Sequence, residues 1–131
     1  MAILNRDSWV WRFGQVGKVM RGRLDDANGR VNLDQFDSVQ VQVGLTSTSA
    51  LLLDAEAVPD DQTTDNGAAG TTGRGWFSYT TDTDAAAIPA KDSTYLLSFV
   101  GVDGTVPQYF PESVSGQRQF ANLKVNDPLG V

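Results

Sequence analysis

The sequence predicts an all-β protein that folds as one antiparallel β-sandwich of about seven to eight strands. Apolar and polar residues alternate with a period of two, most regularly in the segment DSVQVQVGL at residues 37–45. Such alternation indicates strands that are buried on one face, as in antiparallel sheets. Hairpin-turn dipeptides, among them Asn28-Gly29 and Asp103-Gly104, separate the alternating segments. Helical periodicity is scarce, and many short strands with little helix are typical of a sandwich.

Each predicted strand has its own local support. The segment GKVMRGRLDD alternates, and RGWFSYTT is rich in the aromatic and β-branched residues that favour strands. The segment STYLLSFVGV is apolar on one face and partly apolar on the other, so we expect a strand that is central in the sheet or covered on both sides. The predicted strands lie at residues 13–17, 18–25, 38–46, 50–58, 74–81, 93–102, 105–110 and 117–125.

Prolines limit two of the predicted elements. One helical turn is expected with Thr83 or Asp84 as its N-terminal cap, and Pro89 ends it because proline cannot continue a helix. Pro107 and Pro111 restrict hydrogen bonding in the strand between them. We therefore expect that strand at the edge of a sheet, where proline also discourages unwanted strand addition.

The N-terminal arm, residues 1–12, carries two tryptophans before the first clear strand. Trp9 and Trp11 point the same way if the arm is extended, because side chains alternate along an extended backbone. Two interpretations remain open: the pair caps the core of the sandwich, or the arm docks on a neighbouring chain, since aromatic anchors are favoured at interfaces.

Residues 59–75, PDDQTTDNGAAGTTGRG, form a second unusual segment. They are rich in Gly, Thr, Asp and Ala and contain almost no large apolar residue. Long loops in compact domains are usually functional or mobile. We interpret this one as an extended hairpin tip that becomes ordered when something packs on it.

Size and charge exclude several classes of protein. With 131 residues, the chain fits one domain, and its formal net charge of −6 argues against nucleic acids and anionic membranes as partners. No apolar run is long enough to span a membrane, so no membrane partner is expected. The N-terminal residues lack the pattern of a signal peptide, and we expect synthesis in the cytoplasm.

The residue types exclude most catalytic sites. Without histidine or cysteine, the chain cannot build a Ser-His-Asp triad, a Cys-His pair or a zinc site of the usual ligands. The segment GAAGTTGRG lacks the order of a phosphate-binding loop. We therefore predict no catalytic, cofactor-binding or metal-binding residues, and no cofactor.

Two alternatives use carboxylates. Asp82 and Asp84 could act as a pair in a small hydrolase, and Asp60, Asp61 and Asp65 could offer oxygen ligands to calcium. All five lie where turns are expected, and aspartates at turns commonly bond their own backbone.

Five aromatic residues allow a carbohydrate-binding alternative. They are Trp76, Phe77, Tyr79, Tyr109 and Phe110, and they could form a platform on which sugars stack. Filling of the core on alternate strand faces is the favoured explanation.

The order of the segments resembles a known family. An aromatic strand, a Gly turn, a strand ending in Leu-Asp-Asp, an Asn-Gly turn, a valine-rich strand and a polar loop come first. A Gly-x-x-x-Tyr segment, a tyrosine strand, an Asp-Gly hairpin and a Phe-Pro dipeptide follow. This order resembles the immunoglobulin-like domain at the N-terminus of upper baseplate proteins of tailed bacteriophages, and similar small domains of phage tail and head proteins. The resemblance covers residues 9–127, and its matching segments are residues 14–17, 24–29, 39–43, 75–79, 95–99, 103–104 and 110–111.

The resemblance implies an immunoglobulin-like sandwich that serves as a non-enzymatic structural component of the virion, in the tail, baseplate or neck or as a head decoration. The implied partners are other virion proteins and copies of the chain itself, bound through the arm, the 59–75 loop and the C-terminal tail, residues 126–131. The alternative function is a carbohydrate-binding module that mediates adsorption to a surface glycan. The residues expected at interfaces are Trp9, Trp11, Arg74, Trp76, Tyr109 and Phe110.

Overall fold

The computed structural model describes residues 3–4, 9–46, 48–65, 70–111 and 120–127, with only the backbone described for residues 3–4. Within these ranges the chain has one short helix, α1 (Thr83–Ala86), one 3-10 turn (Leu33–Gln35) and ten strands. The strands are β1 (Ile3–Leu4), β2 (Trp9–Arg12), β3 (Val19–Asp26), β4 (Gly29–Arg30), β5 (Ser38–Gly44), β6 (Leu53–Pro59), β7 (Trp76–Thr80), β8 (Tyr95–Asp103), β9 (Val106–Phe110) and β10 (Ala121–Asn126). The prediction of an all-β protein is confirmed.

The strands form one curled sheet whose two halves face each other. In the first half, β8 pairs with β5 along one edge and with β9 and β10 along the other, and β5 pairs with β6. In the second half, β3 pairs with β1, β4 and β7. Strand β6 joins the halves, because its first residues pair with β5 and its last two, Val58 and Pro59, pair with β7. The result is a sandwich-like fold, with β8 in the central position that its apolar composition predicts.

The pairing is not purely antiparallel, which corrects the prediction. Strand β2 pairs with β10 in parallel, from Trp9 opposite Leu123 to Arg12 opposite Asn126. Parallel neighbours cannot be joined by a tight turn. Here they come from distant parts of the chain, so no direct connection is needed.

The predicted strand at 13–17 is instead a turn. Gly14 and Gly17 have φ angles of +81° and +89°, which glycine adopts without steric cost. Their amides donate to the carbonyls of Ala86 and Thr81, at 2.8 Å each, and tie the turn to the region of α1. The other predicted strands correspond to β3 and β5–β10, although residues 117–119 of the last one lie outside the described residues.

The core lies between the two halves and is rich in aromatic rings. The Trp9 ring lies 4.9 Å from the Phe99 ring and is stacked on Tyr79 at 6.3 Å, while Phe77 meets Phe99 at 4.8 Å. Trp9 and Trp11 are 4% and 1% exposed. The core interpretation of the two tryptophans is therefore the one that the structure confirms.

Candidate interaction surfaces

Four of the six residues predicted at interfaces are buried within the chain. Trp9, Trp11 and Phe110 lie in the core, and Trp76 is only 8% exposed. The structure therefore places these four where a partner would not contact them in the folded chain. The arm is likewise part of the fold over residues 9–12, because β2 is a strand of the sheet. Residues 1–2 and 5–8 of the arm, and 128–131 of the tail, lie outside the described residues.

The 59–75 loop is held by a buried glutamine that the sequence analysis did not identify. Gln62 is 2% exposed, and its Oε1 accepts hydrogen bonds from the amides of Leu33 and Gly75, both at 2.9 Å. Its Nε2 donates to the carbonyl of Asp60 at 2.8 Å. A buried side chain with these bonds fixes the loop to two other parts of the chain. A glutamine in a polar loop carries no sequence signal for this role.

An ion pair fixes the same loop to β3. The Arg21 guanidinium donates to both carboxylate oxygens of Asp60, at 2.7 and 2.5 Å, and also to the carbonyl of Thr71 at 3.0 Å. The amide of Gly73 donates to Asp60 at 3.0 Å. The hydrogen bond from Arg21 is the main cause that lowers the pKa of Asp60, and the same bond raises the pKa of Arg21.

Trp76 anchors the far side of the loop. The guanidinium carbons of Arg21 and Arg23 lie 5.5 and 5.8 Å from the centroid of its ring, within the range of cation–π attraction. Its Nε1 donates to the carbonyl of Gly70 at 3.1 Å, and Arg30 donates to the same carbonyl at 3.0 Å. Trp76 thus acts within the chain.

The described parts of the loop, residues 60–65 and 70–75, are ordered by bonds of the chain itself. This corrects the expectation that order requires a partner, while the pairing of β6 with β7 confirms the hairpin. Arg74 lies on this hairpin at the surface, half-buried, and donates through Nε to the carbonyl of Gln62 at 3.2 Å. Residues 66–69 are outside the described ranges.

The aspartates of the hydrolase alternative have local structural roles. Asp82 caps α1 by accepting from the amide of Ala85 at 3.0 Å, and it also accepts from the hydroxyl of Tyr79 at 3.4 Å. Burial, and then the charge of Asp82, raise the pKa of Tyr79 to about 12. Asp84 lies in the first turn of α1, where a negative charge is favourable.

The loop aspartates show the same pattern. Asp61 accepts from the amide and hydroxyl of Thr63, at 3.0 and 2.7 Å, and these bonds lower the pKa of Asp61. Within the described ranges, no group of three or more Asp or Glu residues is arranged to hold a metal ion. No helix in these ranges is long and apolar enough to cross a membrane.

A groove lies on the outer face of the first half of the sheet, the face turned away from the core. It has a volume of about 300 Å³ and includes Tyr109, one of the residues predicted at an interface. We call it the outer groove. Its walls come from β5, β8, β9, the 45–52 hairpin and the residue before β10, namely Gln42, Gly44, Thr46, Ser49, Leu51, Leu96, Ser98, Tyr109 and Phe120.

Exposed apolar side chains gather at one end of the sandwich. Strands β2, β5 and β10 finish at this end and β3, β6 and β8 begin there, as their registers require. We call this surface the apolar end. Its six side chains are between 41% and 60% exposed, and they are Phe13, Val16, Val19, Leu45, Leu51 and Leu52.

Comparison with known proteins finds no protein-family model and no curated protein that matches the chain. The resemblance to domains of tailed phages therefore depends on the order of strand and turn signals in the sequence itself.

Proposed function

We propose that the chain is a non-enzymatic structural component of a tailed-bacteriophage virion, in the tail, baseplate or neck or as a head decoration. It acts by binding other virion proteins and copies of itself. Two features support this proposal: the order of segments over residues 9–127, and a sandwich-like all-β fold of the kind that the resemblance implies.

The observation that carries the proposal is the apolar end. Single exposed apolar side chains are normal on protein surfaces, whereas grouped ones mark contact sites. Here six large apolar side chains share one end of a chain whose net charge is −6. The charge keeps free subunits soluble. The apolar end supplies the contact once subunits are brought together.

The energetics suit repeated assembly. Complete burial of a Val, Leu or Phe side chain contributes about 1.5–3 kcal/mol, so half-exposed side chains contribute roughly 1 kcal/mol each. One interface formed by the apolar end is weak once the free-energy cost of association is subtracted. A symmetric particle presents many such contacts at once, and their high effective concentration holds the subunits in place.

The test is the composition of particles from a phage whose genome encodes the chain. We expect mass spectrometry of purified particles to find the chain at a fixed ratio to the major capsid protein. Immunogold labelling should place it at one regular position on the particle. Particles that lack the chain, and that assemble and infect equally well when its gene is deleted, would contradict the proposal.

A matched pair of variants tests the apolar end. Val16→Asp places a charge in the apolar end, while Val106→Asp places one at the start of β9, at the opposite end, and the two valines are 60% and 66% exposed. We expect Val16→Asp to lower incorporation into particles about tenfold or more, since tenfold corresponds to only about 1.4 kcal/mol. Val106→Asp should leave incorporation unchanged. Equal thermal melts would exclude unfolding as the cause.

A further inference from the structure

The hairpin between β3 and β4 carries the dipeptide Asn28-Gly29 at its tip. Strand β3 ends at Asp26 and β4 begins at Gly29, so Ala27 and Asn28 form the turn between them. The tip is exposed from Ala27 to Gly29. The dipeptide makes the turn, and the same two residues also have a chemistry of their own.

An asparagine that is followed by glycine can lose its side-chain amide without an enzyme, and asparagine is among the thermolabile residues. The backbone nitrogen of the glycine gives up its proton and attacks Cγ of the asparagine, and the bond from Cγ to the amide nitrogen breaks. The amide leaves as ammonia, which takes up the proton, and a cyclic succinimide remains. Water then opens either carbonyl of the ring, so the product is aspartate or isoaspartate. Glycine is favourable in the second position because it has no Cβ atom to obstruct ring closure.

The side chain of Asn28 is free to react. The backbone N–H of this residue donates to Oδ1 of Asp26 at 2.8 Å. Within the described parts of the chain, the side-chain amide of Asn28 has no hydrogen-bond partner. An exposed and unbound side chain changes rotamer rapidly, so that of Asn28 reaches the next backbone nitrogen at little cost.

The attacking nitrogen belongs to Gly29, at the open end of the hairpin. Gly29 has a φ angle of +111°, and a Cβ atom added there would meet nothing within 4 Å. Gly29 is paired with Asp26, and the neighbouring pair of this short ladder is Asp25 with Arg30. Exposed pairs at the end of a ladder open at a low free-energy cost. The nitrogen therefore becomes available while the rest of the chain stays folded.

The turn between β8 and β9 has the opposite arrangement. Its dipeptide is Asp103-Gly104, in which the same ring closure would convert aspartate to isoaspartate. Here the amide of Gly104 donates to Oδ2 of Asp37 at 2.7 Å. A hydrogen bond to a carboxylate is stronger than one between neutral groups, so it holds this nitrogen back from attack. We therefore expect Asp103 to be protected where Asn28 is not.

We propose that Asn28 is a site of spontaneous deamidation in the folded protein. The reaction replaces a neutral side chain with a carboxylate, in a hairpin that already contains Asp25 and Asp26. The isoaspartate product also adds a methylene group to the backbone at the turn. The charge and the shape of this hairpin therefore change with the age of the protein. The proposal goes beyond the structural function and does not depend on it.

The test follows the full, folded chain during storage at physiological temperature and pH. Trypsin cleaves after Arg23 and Arg30, so it releases residues 24–30 as a peptide that contains Asn28. We expect mass spectrometry over several weeks to show growing amounts of this peptide with aspartate or isoaspartate at position 28. In the same samples Asn122, which is followed by leucine, should stay intact, and Asp103 should form no isoaspartate. If Asn28 is modified no faster than Asn122, the proposal is overturned.

A sample unfolded in urea gives the rate of the unprotected dipeptide. We expect Asn28 in the folded chain to react within about tenfold of that rate, since tenfold corresponds to an opening cost of only about 1.4 kcal/mol. A folded chain that reacts more slowly than this would show that the hairpin protects the site, and would overturn the proposal. Asn28→Gln is the matched control. It keeps a neutral amide but would have to close a larger ring, so its peptide should remain unmodified.

Discussion

Two strand residues, Gly22 and Gly101, each lie under an aromatic ring. A Cβ atom on Gly22 would be 2.5 Å from Cζ of Phe77, and one on Gly101 would be 2.6 Å from the ring of Phe36. Neither glycine is needed for a turn. Each is required because a ring occupies the space that a side chain would take, and glycine within a strand often marks such a close approach.

We expect Gly22→Ala to lower the free energy of unfolding by about 1–3 kcal/mol, because the added methyl group overpacks the core against Phe77. Gly44→Ala is the matched control. A Cβ atom at Gly44 would meet the carbonyl of Thr46 at 3.5 Å and Oγ of Ser49 at 3.8 Å, both ordinary contacts, so little change is expected. Urea unfolding followed by tryptophan fluorescence measures both variants. Equal stabilities of the two variants would contradict this account of Gly22.

At the residue scale, the alternating pattern predicts burial well where one strand face meets the core. Met20, Gly22 and Leu24 share a face in the sequence and are buried in the structure. The pattern cannot show that Gln62 is buried, because its partners Leu33 and Gly75 are distant in the sequence. For the same reason it cannot place Gln42 beside Ser98, so the outer groove was not predictable from the sequence.

At the scale of elements, the connection between β6 and β7 shows how a polar loop becomes ordered. Residues of the loop bond to β3, to the 3-10 turn and to Trp76 rather than to an apolar cluster. Composition predicts a loop here but not its anchors, since Arg21 and Asp60 meet only when β7 pairs with both β3 and β6. The strand predicted at residues 13–17 is a turn instead, because Gly14 and Gly17 adopt positive φ angles.

The ion pair between Arg21 and Asp60 makes the stability of the protein depend on pH. The folded pKa of Asp60 lies below its ordinary value, mainly because of the hydrogen bond from Arg21. The stabilisation is therefore complete above the unfolded pKa, near pH 4, and is lost as the pH falls through the lower folded pKa. We expect Asp60→Asn to be about 1 kcal/mol less stable than the parent chain at pH 7, a size typical of a partly exposed pair.

That difference should shrink as the pH falls below about 4, because Asp60 of the unfolded parent chain binds a proton there while Asp60 of the folded chain does so only at lower pH. Urea unfolding at a series of pH values measures it. Asp54→Asn is the control, because Asp54 is exposed on β6 and should show no such difference at pH 7. A gap that stays constant down to pH 2, or no gap at neutral pH, would contradict a stabilising role for the pair.

At the scale of the whole molecule, strands that are distant in the sequence, β2 and β10, are neighbours in one sheet. Strand β2 lies at the edge beside β10, and the amide of Phe13 donates to the carbonyl of Asn126 at 2.9 Å. The sequence of the arm is compatible with both a core strand and a docking segment. The parallel pairing with β10 makes the arm a core strand. The alternation of apolar and polar residues within the arm does not predict that pairing.

Removal of residues 1–12 distinguishes a core strand from a docking arm. A docking arm could be removed without loss of the fold. Here the deletion removes Trp9 and Trp11 from the core, and truncation of a buried tryptophan costs about 3–5 kcal/mol. Because the total stability of a domain is about 5–15 kcal/mol, we expect the shortened chain to be largely unfolded.

Two measurements check this outcome. The ¹H–¹⁵N spectrum of the shortened chain should lose its amide dispersion, and its thermal melt should show no cooperative transition. Trp9→Phe in the full-length chain is the control, since it keeps a ring against Phe99 and Tyr79 and should remain folded at a lower melting temperature. A shortened chain that melts cooperatively within a few degrees of the parent would instead assign residues 1–12 to contacts between subunits. The expected unfolding would mean that β2 completes the sandwich, and the contacts between subunits that we propose would then fall to surfaces such as the apolar end.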